Sequence, residues 1–534
     1  MGELREECGV AAVYHLPGVG CSPLCPEGPD QATRLLPKML LDIQNRGQLA
    51  AGMTRYSPHD PQLLLTHKDV GSVTEVFSLG HRERFERLGA ILSGPAGIGH
   101  VRYATCGRED AGYAQPFERH HIKKHKWFSF AFNGQLANYQ ELRDRLLEDA
   151  DHHLIRETDT EVIMHVLCRE LMPNPAPDLL DVCRVFPEEF DGAYSLVFLN
   201  ALGELMVVRD PCGIKPLSWA FDGRFFAAAS ESVALLNLGF SPEDIKPVEP
   251  GRAIVVSSAG LREETFFESK RRAHCFFEWV YFSNVASTLD RRSVYLARKS
   301  LGEELARLET LDVHDGHTIV VPVPDTSKAA ADGLAYALGI PCLEGLIRNR
   351  YAGRTFIEGV ESRERKARAK YTPLREVLEG KRILLVEDSI VRSTTMRVLL
   401  RRMRDLGRPS EIHVRVACPP IISPCFYGID MSSVKELFAP HFLTEGRLTE
   451  EAQAKMAEQL GADSLRYLPV ESVARAIDLP AENLCQACIT GRYPTPWGQI
   501  LAAESLQHFQ CGISGRAFEI PAQEAATSSA KCGS

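Results

Sequence analysis

Short apolar runs separated by glycine-rich turns fill the chain up to about residue 265. Phe128–Phe132, Ala193–Leu199, Leu205–Arg209, Phe225–Ala229 and Ala253–Val256 read as buried strands. Leu35–Asn45, Leu136–Leu147 and Thr160–Leu171 repeat apolar residues at three- and four-residue spacing, which predicts helices. Strands clustered with strands, and helices with helices, predict an α+β sandwich. The pattern then changes. Thr318–Val323, Arg382–Val386 and Ile412–Ala417 are β-branched runs, and helical patterns over Ser327–Leu338 and Thr394–Leu406 lie between them. That alternation predicts an α/β domain on a parallel sheet, with the boundary between residues 258 and 275. Ala522–Ser534 is small and polar and is expected to be a loose tail.

Composition narrows the class. Of 534 residues, 44% are hydrophobic and 25% charged, values of a globular chain that exclude wholesale disorder and fibrous structure. The net charge of −9 supplies no basic face for nucleic acid. Apolar stretches such as Gly192–Gly203 end well short of the ~20 residues that span a bilayer. The first residues have no apolar core of a secretory signal. The expectation is a soluble, cytoplasmic protein with neither membrane nor nucleic-acid partners. Fifteen cysteines, an odd number, then point to reduced thiols with chemical roles rather than a disulfide framework.

Four segments of the first half carry chemistry. Cys8-Gly9-Val10 puts a thiol behind seven mostly polar residues. Gly97 to Gly107 combines what read as glycine turns with the fixed cation of Arg102. Phe132-Asn133-Gly134-Gln135 offers an amide and a glycine N–H at an expected strand-to-helix turn. Glu157-Thr158-Asp159-Thr160-Glu161 brings a carboxylate to the start of a helix. Together they resemble the N-terminal-nucleophile glutaminase domain (an αββα sandwich) of the class II glutamine amidotransferases. The resemblance implies that residues 1–7 are a propeptide and that the freed α-amine of Cys8 is the base for its own thiol. It further implies that Asn133 and Gly134 are the oxyanion donors, and that Arg102 and Asp159 clamp the α-carboxylate and α-ammonium of glutamine. Gln44-Asn45-Arg46-Gly47-Gln48 resembles the family's Gln-His-Arg-Gly-Gln stretch, with Asn45 replacing His; Arg46 is expected to support glutamine binding.

In the second half, Lys381 to Thr395 runs as an apolar strand ending in Glu387-Asp388, followed by a hydroxyl-rich turn and a helix. Acids at the carboxyl end of a parallel strand and a helix N-terminus suit a phosphorylated ligand. The segment resembles the signature of type I phosphoribosyltransferases, here with Glu387 for the usual Asp and Ser393 for Gly. The implied substrate is 5-phosphoribosyl 1-pyrophosphate, its 5′-phosphate held by Ser389, Ser393, Thr394 and Thr395. Glu387, Asp388 and Ser327 are the implied Mg²⁺ ligands, one ion per subunit. Arg348, Tyr351 and Arg354 resemble the loop that closes over pyrophosphate.

Cys485-Gln486-Ala487-Cys488, taken alone, suits zinc, redox chemistry or packing equally. With Cys275 and Cys425, however, it matches the four ligand positions of the iron–sulfur members of the glutamine phosphoribosylpyrophosphate amidotransferase family. One 4Fe–4S cluster per subunit, a homotetramer and inhibition by purine nucleotides are implied by that resemblance. The implied division is a propeptide at 1–7, a glutaminase domain over 8–265, a phosphoribosyltransferase domain over 266–494 with the cluster segments, and a C-terminal extension over 495–534. The implied activity transfers glutamine nitrogen to the activated ribose, opening purine synthesis. Two alternatives are a non-catalytic nucleotide or phosphoribosyl-pyrophosphate sensor and another class II amidotransferase, such as a hexosamine-phosphate synthase.

Overall fold

The computed structural model describes residues 8–103, 111–148, 153–174, 177–349, 370–431, 433–443 and 447–510. In the first half two antiparallel sheets face each other. One has seven strands in the order Lys246–Pro247, Ser218–Phe221, Phe225–Ala229, Gly9–His15, Ala96–Arg102, Ala50–Tyr56 and Leu64–Val70. The other has six, ordered Gly260–Thr265, Arg252–Ser257, Leu205–Arg209, Gly192–Asn200, Phe128–Leu136 and Phe117–Arg119.

The period of two along each strand builds the layers. Val10, Ala12 and Tyr14 pack between the sheets with Val197, Leu199, Val207 and Ile254. Ala11 and Val13 face the other way, onto Met39, Leu40 and Ile43 at the helix Leu36–Asp42. Phe130, Phe132 and Phe198 on the outer face of the second sheet meet Val162, Ile163 and Val166 of the helix Asp159–Leu171. The result is the expected αββα sandwich.

Two local expectations change. Gly97 and Gly99 are not in turns, because the strand runs on to Arg102. A Cβ would stand 2.7 Å from Thr33 Cγ2 at Gly97 and 3.0 Å from Leu40 Cδ1 at Gly99, so these glycines let the covering helices approach the sheet. Asn133 and Gly134 likewise lie inside the strand Phe128–Leu136, and the next helix starts only at Tyr139.

The second half is a parallel sheet in the order Thr318–Pro322, Arg382–Glu387, Glu411–Val416 and Ser464–Tyr467. The helices Val294–Arg307, Lys328–Leu338, Ser393–Arg402, Glu450–Leu460 and Val470–Ile477 belong to the same half. Its core takes in Ala137, Ala193 and Ile214 from the first half, so the two halves pack against each other through apolar contacts. A short parallel pair joins His274–Cys275 to Leu484–Cys485. The helix Pro496–Gln510 lies in the expected C-terminal extension, and its Trp497 N–H donates to Asp191 of the first half at 3.0 Å. Among the described residues no helix is long and apolar enough to cross a membrane.

Candidate functional site

Cys8 directly precedes the strand Gly9–His15, whose pairing with Ala96–Arg102 sets Gly9 opposite Val101. That register brings the thiol to the side of Arg102. Cys8, Arg102, Tyr103, Gly134 and Asp159 line one cavity of about 380 Å³, together with Tyr113, Gln115 and Thr160. Four of the six residues expected at the glutamine site therefore converge there. Asn133 is buried beside it, and its Nδ2 has no hydrogen-bond partner among the described residues. An unpartnered buried donor is costly unless something arrives to use it.

The backbone before Asn133 is held from two sides. Phe132 N–H donates to Gln115 Oε1 at 2.8 Å, and its carbonyl lies 3.2 Å from His100 Nε2. Burial drives the His100 imidazole down to about 3, so it is neutral and the short contact is an N–H donation. Asp159 accepts from the N–H groups of Thr160 at 2.9 Å and Leu136 at 3.4 Å. Burial outweighs those bonds and raises its carboxyl to about 6. An arriving ammonium is the charge this acid lacks. The Arg102 guanidinium sits 5.7 Å from the Tyr113 ring centroid.

Arg46 is the correction at this site. It is fully buried and does not line the cavity. Its Nε donates to the Cys8 carbonyl at 3.1 Å, Nη1 reaches Glu231 at 3.1 Å, and the two terminal nitrogens grip Glu278 at 3.0 and 2.7 Å. It holds the backbone of Cys8 rather than facing the cavity. Asn45 supports the same cluster, donating to Glu231 at 2.8 Å and to the Phe282 carbonyl at 3.0 Å. The sequence did signal Glu278: a lone carboxylate in the apolar run Phe276–Phe282 has to find a buried partner.

The acids of the second half end the strand Arg382–Glu387 as expected. Burial raises both Glu387 and Asp388, and mutual repulsion lifts Glu387 further. Asp388 accepts from the hydroxyls of Thr326 and, at 2.8 Å, Ser389. Ser393, Thr394 and Thr395 form the first turn of the helix Ser393–Arg402, directly after the loop that carries Asp388 and Ser389. Arg348 donates to Asp325 at 3.1 Å. Tyr351 and Arg354 lie outside the described residues.

Ser327 departs from expectation. Its side chain is buried with the hydroxyl turned back on the Val323 carbonyl, so Thr326 is the hydroxyl that meets Asp388. Two cations add to this site. Lys370, brought down to about 8 by burial, feels the charges of Glu387 and Asp388. Arg298, buried and lowered to about 10, feels Asp388 first among its acids.

The four cysteines also come together. Cys275 and Cys485 face each other across the short parallel pair. Burial pushes Cys488 well above its usual range, and the neighbouring Cys425, Cys275 and Cys485 push it further. Among the described residues no group of three or more His, Cys, Asp or Glu side chains can hold a single metal ion. A tetrahedral zinc would draw its sulfurs to within about 3.8 Å of one another, given Zn–S bonds of about 2.3 Å. Cys275, Cys485 and Cys488 are buried and Cys425 is half-buried, and four thiols gathered from three segments are a donor set that suits an iron–sulfur cluster.

A family model for a glutamine amidotransferase domain matches residues 76–269. Amidophosphoribosyltransferase of Methanothermobacter thermautotrophicus is 40% identical over 505 residues, covering 92% of this chain and 96% of that one. The Bacillus subtilis enzyme of the same name is 35% identical over 497 residues, covering 92% and 95%. The solved structure of glutamine phosphoribosylpyrophosphate amidotransferase from B. subtilis, complexed with ADP and GMP, superposes with a TM-score of 0.77 at 34% identity. It covers 92% of this chain and 98% of that one.

Proposed function

This chain belongs to the amidophosphoribosyltransferase family, and we propose that Cys8 is the nucleophile that draws its nitrogen from glutamine. The reaction converts glutamine, 5-phosphoribosyl 1-pyrophosphate and water into 5-phosphoribosylamine, glutamate and pyrophosphate, the first committed step of de novo purine synthesis. What supports the residue assignment is the cavity in which Cys8, Arg102, Asp159 and Gly134 meet, beside the unpartnered amide of Asn133.

Removal of residues 1–7, which lie outside the described residues, frees the Cys8 α-amine to take the thiol proton. Thiolate sulfur attacks the carboxamide carbon, and charge collects on the amide oxygen. Asn133 Nδ2 and the Gly134 N–H meet that oxygen. The C–N bond breaks with proton return, ammonia leaves, and water hydrolyses the thioester to glutamate. Arg102 and Asp159 fix the amino-acid end meanwhile, which turns an encounter into a near-attack geometry.

At the second site ammonia forms a bond to the anomeric carbon as pyrophosphate departs with the bonding electrons. The first turn at Ser393–Thr395 binds the 5′-phosphate, and Ser389 with Asp388 faces the ribose. Two adjacent carboxylates that repel each other, Asp388 buried and Glu387 half-buried, fit a hard cation, so Glu387 and Asp388 would hold Mg²⁺. That ion, when bound, neutralises charge on the leaving pyrophosphate. Cys275, Cys425, Cys485 and Cys488 would hold a 4Fe–4S cluster as a structural tie. Arg348, Tyr351 and Arg354 are assigned to pyrophosphate. Purine nucleotides as inhibitors, a homotetramer and a cytoplasmic setting complete the proposal; the nucleotides in the B. subtilis complex are its closest support.

Cys8→Ala tests the assignment. It abolishes product formation from glutamine while formation from ammonium salts continues. Loss of both activities in a folded protein overturns a two-site design.

A further inference from the structure

The turn that carries Cys425 reaches across to the glutaminase half. Gly428 has φ +104, and a Cβ built there would stand 3.2 Å from both the carbonyl carbon and the oxygen of Gly134. Ordinary carbon contacts lie near 3.5–4.0 Å. The two glycine backbones thus approach too closely for a side chain to stand between them without one of them giving way. From the other side, a Cβ on Gly134 would sit 1.9 Å from the Ala193 carbonyl oxygen, so the Gly134 peptide is hemmed in on both faces.

The turn behind Gly428 is braced. Cys425 N–H donates to the Met431 carbonyl at 3.1 Å, and the Tyr427 hydroxyl pairs with Thr495 at 2.9 Å. Phe426 packs on Tyr493 with ring centroids 5.1 Å apart. Ile422 and Ser423 donate to the Cys488 carbonyl at 2.8 and 3.1 Å. A group added at residue 428 therefore presses on Gly134 rather than displacing the turn.

We propose that Gly428 is a positioning residue of the glutaminase reaction: a glycine from the second half that leaves room for the Gly134 carbonyl and Cα, and so lets the N–H on that same Cα stand at the distance the developing oxyanion requires. This rests on Asn133 and Gly134 being the oxyanion donors. Donor distances of about 2.7–3.1 Å matter at such a site. A misplacement of about 1 Å costs on the order of a hundredfold, so a shift of about half that costs about tenfold.

The test measures steady-state rates with glutamine and with ammonium chloride for Gly428→Ala. The expected result is a kcat with glutamine lower by about tenfold, KM for glutamine within about threefold, and the ammonia rate within about twofold of wild type. Gly491→Ala is the control. It also sits at positive φ (+70) beside the cysteines, but its Cβ would meet only Ser423 Oγ, at 3.6 Å, and it leaves both rates unchanged. Should Gly428→Ala not fold, Tyr427→Phe removes one brace and lowers the glutamine rate alone, by a smaller factor. Equal loss of both activities, or a glutamine rate untouched in the folded variants, overturns the proposal. If Cys8→Ala itself spares glutamine use, the underlying assignment fails instead.

Discussion

Asn133 gives the sharpest forecast, because catalysis should collapse while stability holds. Its Nδ2 is buried and has no partner among the described residues, a state that costs the free protein about 1–3 kcal/mol. Asn133→Ala removes that donor and leaves a cavity of at most about 40 Å³, worth roughly 1 kcal/mol at ~24 cal/mol per Å³. The two terms nearly cancel, so unfolding free energy should stay within about 1 kcal/mol of wild type. Loss of one oxyanion donor, by contrast, raises the barrier by about 3–4 kcal/mol, or about 10²–10³ in kcat. Rates with glutamine and with ammonium salts, measured beside a urea melt, check both halves. The signature is a large drop in kcat with glutamine, little change in KM, an unchanged ammonia rate and an unchanged melt. A variant that lost several kcal/mol of stability, or one that kept its glutaminase rate, would refute the reasoning.

Three further expectations follow from the same geometry. Asp159 must be ionised to hold the substrate ammonium, and burial raises it to about 6. Hence kcat/KM for glutamine should fall as pH drops below about 6, and Asp159→Asn should raise KM and erase that limb; an acid limb near 4 would refute it. Since the raised value means the folded state binds this proton more tightly than the unfolded chain, Asp159 favours folding more as pH falls from about 6 toward 4. Arg46→Met leaves Glu231 and Glu278 buried without their cation, which costs about 3 kcal/mol, the low end for a broken buried pair because Asn45, Ser283 and Ser287 remain as donors. Urea melts read that loss, and a change under about 1 kcal/mol contradicts it. Anaerobically purified protein should be brown and contain iron and sulfide, both lost in Cys485→Ser; colourless zinc-loaded protein removes the cluster.

Much of the frame was legible in the chain. Leu205–Arg209 and Phe225–Ala229 form strands with the bounds their apolar runs predict, and the Lys381–Thr395 run folds as strand, acid pair, turn and helix. What could not be read was direction. Arg46 sits in a motif that points to the glutamine site, but its carboxylates arrive from 185 and 232 residues away, and only their burial decides that it faces inward. Ser327 carries the hydroxyl expected near the acids, yet local turn geometry spends it on the Val323 carbonyl. Gly97 and Gly99 look like turn residues because glycine serves turns and close packing alike; the helix covering them is the missing information.

The buried charges around Arg46 form a connection between the two chemistries. Arg46 holds the Cys8 carbonyl and Glu278; the Ser283 hydroxyl donates to Glu278 at 2.7 Å, and the Ser283 carbonyl accepts from Arg298 at 2.8 Å. Arg298 also ties down the Trp279 and Tyr281 carbonyls at 2.8 Å, and it feels Asp388 at the sugar site. Such a network is poor value for stability, since an apolar cluster of equal volume is often as good or better. Its use here is registration. Each member has a partner on another segment, so a slip of the 278–283 segment against either half strands a buried charge at a cost of several kcal/mol. The Cys8 backbone and Arg298, whose charge reaches Asp388, are thereby tied to the same segment, which under the proposed function registers the site that would release ammonia against the one that would consume it.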